Sequence, residues 1–418
     1  MNDFQYVNNE LWCEECPITT IAKEIHTPFY LYSHKTLSNH FKVFDKSFAD
    51  IHHIICFAAK ANSNLSILRI FAKLGSGADI VSGGELFRVL KAGIDPRKIV
   101  YSGVGKNKEE IEYALASNIL MFNAESSQEL QVINECAGKM KKKAGVALRI
   151  NPDVDPKTHP HITTGLRDNK FGLDIKSALE QYRTARNLCN LDIIGVSCHI
   201  GSQVTQMSPF LEAFDRVKNF VLQLKTEGFA IKYLDLGGGL GIRYNEEGPP
   251  HPSEYASSII PIVNELDCTF ILEPGRVIVG NAGILVTKVL YNKSNIEKNF
   301  IIVDAGMNDL VRPSLYSSYH QIQPVLKKDG NEIIADVVGP ICESGDYLAK
   351  KRQLPMFERD DLMAVMSAGA YGFTMSSNYN SRPRVAEVLV KDDKFYIIRK
   401  REDFTDLVMG ENIPDFLK

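Results

Sequence analysis

The chain has 418 residues, 44% of them hydrophobic, and a formal charge of −3 at pH 7, which is material for two ordinary domains with packed cores. Basic and acidic residues are interleaved, so there is no electrostatic case for nucleic acid or an anionic membrane as partner. No stretch is apolar for the length a bilayer demands, and the opening MNDFQYVNNE has no basic region followed by an apolar one. A cytosolic (cytoplasmic) protein is expected. Eight cysteines run from Cys13 to Cys342 without framework spacing. Cys13-Glu14-Glu15-Cys16 is the one close pair, and neither a second pair nor a His pair completes a zinc site, so free thiols and no metal are expected.

In chain order, Pro28-Phe29-Tyr30-Leu31-Tyr32 reads as an aromatic strand and 33–49 as a helix with Ser33 as its N-cap. From residue 54 a rhythm sets in. Apolar runs at 54–58, 78–81, 99–101, 119–122, 146–150, 193–198, 233–236 and 270–272 alternate with amphipathic segments at 64–74, 84–92, 108–116, 126–140, 176–188, 208–226 and 253–265. Alternating strand and helix implies a parallel sheet, and eight repeats over roughly 240 residues match a closed (β/α)8 barrel. The competing fold, a doubly wound open sheet, more often shows G-x-G-x-x-G after its first strand; here Lys60-Ala61-Asn62 follows. After Val279 the rhythm stops. Runs at 284–291, 300–303, 332–338, 362–366, 385–390 and 395–398 are β-rich, and 388–396 reads as a hairpin around Asp392-Asp393. The expected fold class is α/β: a (β/α)8 TIM-type barrel over 33–280, plus a second, mainly antiparallel β domain from 1–32 and 281–418.

Chemistry in such a barrel sits at the carboxyl ends of the strands, where the loops converge. The first strand, Ile54-Ile55-Cys56-Phe57-Ala58-Ala59, delivers Lys60. A lysine there is either surface punctuation or a nucleophile held beside a dry core. The second strand contains Asp79 and leads into Ser82-Gly83-Gly84-Glu85. The fifth ends on Arg149 and Asn151, the sixth on His199-Ile200-Gly201-Ser202, the seventh on Gly237-Gly238-Gly239-Leu240-Gly241, and the eighth on Glu273-Pro274-Gly275-Arg276. Each member has a plain alternative. A glycine-rich turn can be only a tight bend, His199 a satisfied structural histidine, Glu273 a surface loop residue. Together they fit a ligand with a phosphate for the glycine N–H groups, a carbonyl for the lysine and a ring nitrogen for the acid. Pyridoxal 5'-phosphate has all three, and its sites use a Schiff-base lysine and an acidic partner at the ring nitrogen.

The motifs Phe57-Ala58-Ala59-Lys60-Ala61-Asn62, Ala78 to Glu85, His199 to Gln203, Gly237 to Ile242 and Glu273 to Arg276 resemble the fold-type III decarboxylases that use pyridoxal phosphate. Sharper ones follow in the β domain: Met307 to Tyr316, Gly339-Pro340-Ile341-Cys342-Glu343-Ser344-Gly345-Asp346 and Gly369-Ala370-Tyr371-Gly372. With Asn151-Pro152-Asp153 and 158–165, these resemble the diaminopimelate decarboxylase branch, over nearly the whole chain. Relatives acting on ornithine typically carry Asp where this chain has Glu343.

The resemblance implies that Lys60 is the Schiff-base lysine, Glu273 partners the ring nitrogen, His199 stacks on the ring and Asp79 supports the site. It implies phosphate contacts from Ser202, Gly238, Gly239, Gly275, Arg276 and Tyr371. Arg276, Arg312, Tyr316, Glu343 and Tyr371 would hold the substrate, and arginine suits a carboxylate because its guanidinium binds bidentately. Cys342, which alone would read as packing, matches the proton donor. Cys342 and Glu343 are expected to reach the site of a partner, in a homodimer with shared sites. The implied reaction is decarboxylation of meso-2,6-diaminopimelate to L-lysine and CO2, the last step of lysine synthesis by that route. The rival readings are a related decarboxylase acting on ornithine, arginine or carboxynorspermidine, and a non-catalytic relative, which would be expected to lose Lys60 or Cys342. The loop 153–171 is long and polar enough to be read as a lid.

Overall fold

The computed structural model describes residues 2–155, 170–328 and 330–418. By contacts the chain divides into two compact units, Ser38–Val279 and Met1–Leu37 with Gly280–Lys418. The helix His34–Ser47 (α1) runs across the first boundary.

In the first unit eight parallel strands close into a barrel in sequence order: β1 His53–Ala58, β2 Gly77–Ile80, β3 Ile99–Tyr101, β4 Met121–Ala124, β5 Ala144–Asn151, β6 Leu191–Cys198, β7 Tyr233–Asp235 and β8 Thr269–Leu272. Closure is the pairing of β8 with β1, Leu272 opposite Ile55. Nearly every strand residue is buried, which is why the strands read as unbroken apolar runs rather than alternating ones. Between them lie α2 Leu65–Lys73, α3 Gly83–Ala92, α4 Lys108–Ala116, α5 Ser127–Lys139, α6 Ile175–Ala185, α7 Ser208–Thr226 and α8 Pro252–Val263. Their starts are capped locally. Ser82, Asn107 and Ser126 each accept a hydrogen bond from the backbone N–H three residues on, satisfying donors that a helix start leaves open.

Two strand expectations shift. The fourth, expected at 119–122, is Met121–Ala124. Asn118 takes a left-handed turn (φ 53°) to end α4, so Ile119 and Leu120 are spent on the connection, and the strand continues through polar Asn123. The first strand stops at Ala58, and a 3-10 turn over Ala59–Ala61 carries Lys60.

The second unit is a mainly antiparallel sheet. The strand Phe29–Ser33 lies between Gly283–Ser294, to which it is antiparallel, and Ala386–Lys391, to which it is parallel. The hairpin Ala386–Lys391 to Lys394–Arg399 turns through Asp392 and Asp393, with Asp392 at φ 56°. A strand absent from the expectation, Tyr347–Pro355, closes one edge of the sheet beside Glu332–Val338. Its Lys350, Lys351 and Arg352 hide the alternation, and charge is a common way of protecting an edge. The core gathers Phe29, Leu31, Ile284, Val286, Ala364 and Val388 with Cys13 and Cys16. Both cysteines are free, and burial raises both thiols above their usual range, so they pack as small apolar groups. The loop expected as a lid, 153–171, falls largely outside the described residues, as does 158–165.

Candidate active site

The carboxyl end of the barrel gathers the expected rim residues. Lys60 Nζ donates to Asp79 Oδ2 at 2.7 Å. The Asp79 side chain is fully buried and that of Lys60 is 34% exposed, so the amine stays reachable while its partner does not. Asp79 Oδ1 is buried with no hydrogen-bond partner among the described residues. Nearby, Glu85 is pushed up to about 7 by burial, against the opposing hydrogen bond from the Val81 N–H.

Glu273, at the end of β8, sits in a buried polar network that the sequence reading missed. Asp235 accepts from Asn123 Nδ2 at 2.7 Å and from the Gly237 N–H at 2.9 Å. Asn123 and Ser102 reach Glu273 Oε1 only at 3.5 and 3.4 Å. Burial, then the charges of Asp235 and Asp79, push Glu273 well above the usual carboxylate range, and burial pushes Asp235 to about 6. With the better donors on Asp235, the proton of this pair belongs to Glu273, which donates it toward Asp235. Burial and the two neighbouring carboxylates favour the protonated form of Glu273, and the positive charge of Lys60 opposes them only in part. A lone Asp in an apolar strand was the signal available in the sequence.

His199 is half-buried, and desolvation with the positive charges of Arg149 and Lys60 drives its pKa well below the ordinary value, which favours the neutral ring. Its Nδ1 accepts from the Gly238 N–H at 3.1 Å, which leaves the ring proton on Nε2. The glycine turn is shaped by close approach. A Cβ on Gly238 would lie 2.2 Å from the Glu273 carbonyl oxygen. Gly239 has φ +106°, a region L side chains avoid, and a Cβ there would lie 2.5 Å from the Gly201 carbonyl oxygen. Arg276, buried, donates from Nη2 to Ser202 Oγ at 3.0 Å and from Nη1 to the Tyr244 hydroxyl at 2.6 Å. Gly275 packs against Ala61 and Ala58. Arg149, at the end of β5, is ion-paired with buried Glu125 at 2.8 Å.

Within the second unit, Arg312 opens the short helix Arg312–Tyr316 and is buried, while Tyr316 is half-buried. Asp346 joins two of the β-domain motifs, 307–316 and 339–346: its Oδ1 accepts from the Met307 N–H and its Oδ2 from the Ile341 N–H, both at 2.7 Å. Cys342 and Glu343, between those ties, are exposed. The Cys342 N–H donates to Asn380 Oδ1 at 2.7 Å, and Glu343 accepts from the Tyr379 hydroxyl, raising that phenol's pKa. Tyr371 is half-buried and held at φ 55°, a left-handed conformation that is unusual for a bulky residue. No cluster of His, Cys, Asp and Glu able to hold a metal occurs among the described residues, and no described helix is long and apolar enough to cross a membrane.

Comparison with known proteins bears on this geometry. Residues 34–280 match the family model described as pyridoxal-dependent decarboxylase, pyridoxal binding domain. Diaminopimelate decarboxylase of Vibrio cholerae is 52% identical, with 99% of each chain covered. That of Aquifex aeolicus is 51% identical over 97% of this chain and 96% of its own. Among solved structures, the Helicobacter pylori diaminopimelate decarboxylase complexed with L-lysine superposes with a TM-score of 0.91 at 45% identity, covering 94% of this chain and 99% of its own. The M. jannaschii diaminopimelate decarboxylase, in co-complex with L-lysine, gives 0.95 at 38% identity, with 100% of both chains covered. The chain thus belongs to the pyridoxal-dependent decarboxylases, and within them to the diaminopimelate decarboxylases.

Proposed function

We propose that this chain decarboxylates meso-2,6-diaminopimelate to L-lysine and CO2 with pyridoxal phosphate, the last step of lysine synthesis by that route. The observation that carries the reading is the conjunction at the barrel mouth of a half-reachable Lys60, tied to buried Asp79, with a buried Glu273 whose affinity for a proton is raised by burial and by Asp235 and Asp79. The cofactor's chemistry fits three features. Asp79 Oδ1 is a buried acceptor with no partner among the described residues, the turn at Gly238 leaves no room for a side chain, and Glu273 holds a proton that a basic ring nitrogen would take. When bound, pyridoxal phosphate supplies a carbonyl that captures the substrate amine and a protonated ring that accepts the electron pair left as CO2 departs.

The chain's residues then have separable tasks. Asp79 orients Lys60, the residue that carries the cofactor covalently. Glu273 would face the ring nitrogen, share its proton with it and stand as the counter-charge to the protonated ring. His199, neutral with its Nδ1 fixed by Gly238, packs on the ring face without adding charge. Ser202, the N–H groups of Gly238 and Gly239, the backbone at Gly275 and Arg276, and Tyr371 hold the phosphate. Arg276, Arg312, Tyr316 and Tyr371 bind substrate, and Glu343 accepts from the distal ammonium. Cys342 returns a proton to the carbon that lost CO2. Its exposure, with that of Glu343, suits delivery to a second copy of the chain, so the working form is a cytosolic homodimer. Residues 33–280 are the cofactor-binding barrel and 1–32 with 281–418 the substrate-recognition domain.

A panel of meso-diaminopimelate, ornithine, arginine and carboxynorspermidine, read by CO2 release, tests the assignment. Release from diaminopimelate alone is expected, and preferential turnover of ornithine would overturn it. Lys60→Ala should abolish both turnover and the visible absorption of the bound cofactor.

A further inference from the structure

Arg312 lies at the start of a five-residue helix, and the chain folds back on it at once. Ser317 ends that helix in a left-handed turn, φ 51° and ψ 30°, which brings Ser318 and His320 to the guanidinium. Arg312 Nη2 donates to Ser318 Oγ at 3.3 Å and Nη1 to His320 Nε2 at 2.8 Å. His320 is completely buried. Its other nitrogen, Nδ1, lies 2.8 Å from the Met366 carbonyl oxygen. A carbonyl can only accept, so the ring proton is on Nδ1, and Nε2 is left with a lone pair directed at Arg312. The backbone here is pinned as well. Arg352 donates to the His320 carbonyl at 2.8 Å, the Met366 N–H to the Gln321 carbonyl at 2.8 Å, and Ile322 pairs with Val365 across the sheet.

We propose that His320 is the positioning residue for Arg312, an inference that rests on the reading of Arg312 as a substrate-carboxylate ligand. An imidazole fixed in the Nδ1–H form is a neutral acceptor. It fixes the direction of the guanidinium while leaving the positive charge intact for an incoming carboxylate, which an Asp or Glu in its place would partly cancel. Met366 sets the tautomer, the tautomer makes Nε2 an acceptor, and the acceptor aims the arginine. His320, with none of its surface exposed, acts through Arg312.

The two amide substitutions separate the two nitrogens. His320→Asn keeps a donor near Nδ1 for Met366 but offers nothing at Nε2; it should raise KM for diaminopimelate about tenfold with kcat changed less than about twofold. His320→Gln places an amide oxygen near Nε2 and should hold KM within about twofold of the parent. In an Arg312→Ala background, His320→Asn should have no further effect on KM. If Arg312→Ala raises KM and His320→Asn does not, the role of His320 is refuted while that of Arg312 stands. If Arg312→Ala leaves KM unchanged, both fall. Nitrogen-15 spectra of histidine-labelled, unmodified protein give a reading independent of the variants' folding: a His320 signal from the Nδ1–H tautomer is expected, and an Nε2–H tautomer would overturn the proposal.

Discussion

Glu273 shows how a buried side chain's proton affinity becomes visible in stability. Its folded-state pKa is raised above the unfolded value by burial and by the charges of Asp235 and Asp79. The folded protein therefore binds this proton more tightly than the unfolded chain, and stability falls as pH climbs above about 4, the unfolded carboxyl value. Below that pH the group is protonated in both states and contributes no slope. Replacing it with the neutral amide, Glu273→Gln, should raise the melting temperature of cofactor-free protein at pH 8 and leave it nearly unchanged at pH 4. In the loaded enzyme the same change should lower kcat by about 10²–10³, the usual scale for losing one preorganised electrostatic partner. Equal melting shifts at both pH values would show that Glu273 does not hold the proton. The rim residues were legible because strand ends are where such a fold exposes chemistry. Asn123 and Asp235 were not: a polar residue breaks an apolar run, and its partners across the barrel are distant in sequence.

The turn at 237–239 does work that no single side chain there could do. Gly238 lies against the Glu273 carbonyl, and its N–H sets the tautomer of His199. Gly238→Ala should weaken cofactor retention, read from visible absorbance after gel filtration, and destabilise the protein by about 1–3 kcal/mol, the ordinary cost of overpacking. Full retention with unchanged melting would mean that the close approach is not needed. Among the larger elements, helices were read well because their starts carry local caps. The strand Tyr347–Pro355 was not, because an edge strand loses the apolar pattern by which buried strands are recognised.

Taken whole, the molecule has one unit built from a continuous stretch of sequence and one built from both ends of the chain. The rhythm of strand and helix disclosed the first, since each repeat pairs with its neighbour in sequence. Neighbour relations in the second depend on contacts between distant segments, which no local pattern reports. The homodimer reading belongs at this scale too. If Cys342 and Glu343 serve a second copy, specific activity should fall on dilution in step with dissociation measured by sedimentation. A fully active monomer would contradict shared sites, and mixing Lys60→Ala with Cys342→Ala chains should restore up to about a quarter of parental activity, a statistical estimate for random exchange.

The strand Phe29–Ser33 has a consequence in time. All five of its residues are buried, and its partner Ala386–Lys391 lies roughly 350 residues further along the chain. At ribosomal speeds that separation is on the order of tens of seconds. During synthesis the barrel can close on its own residues, whereas this aromatic strand must wait with both edges open until Gly283–Ser294 emerges, and with one edge open until Ala386–Lys391 follows. Its sheet is therefore the late-forming part of the molecule, and the nascent N-terminus is the segment most in need of protection from other chains.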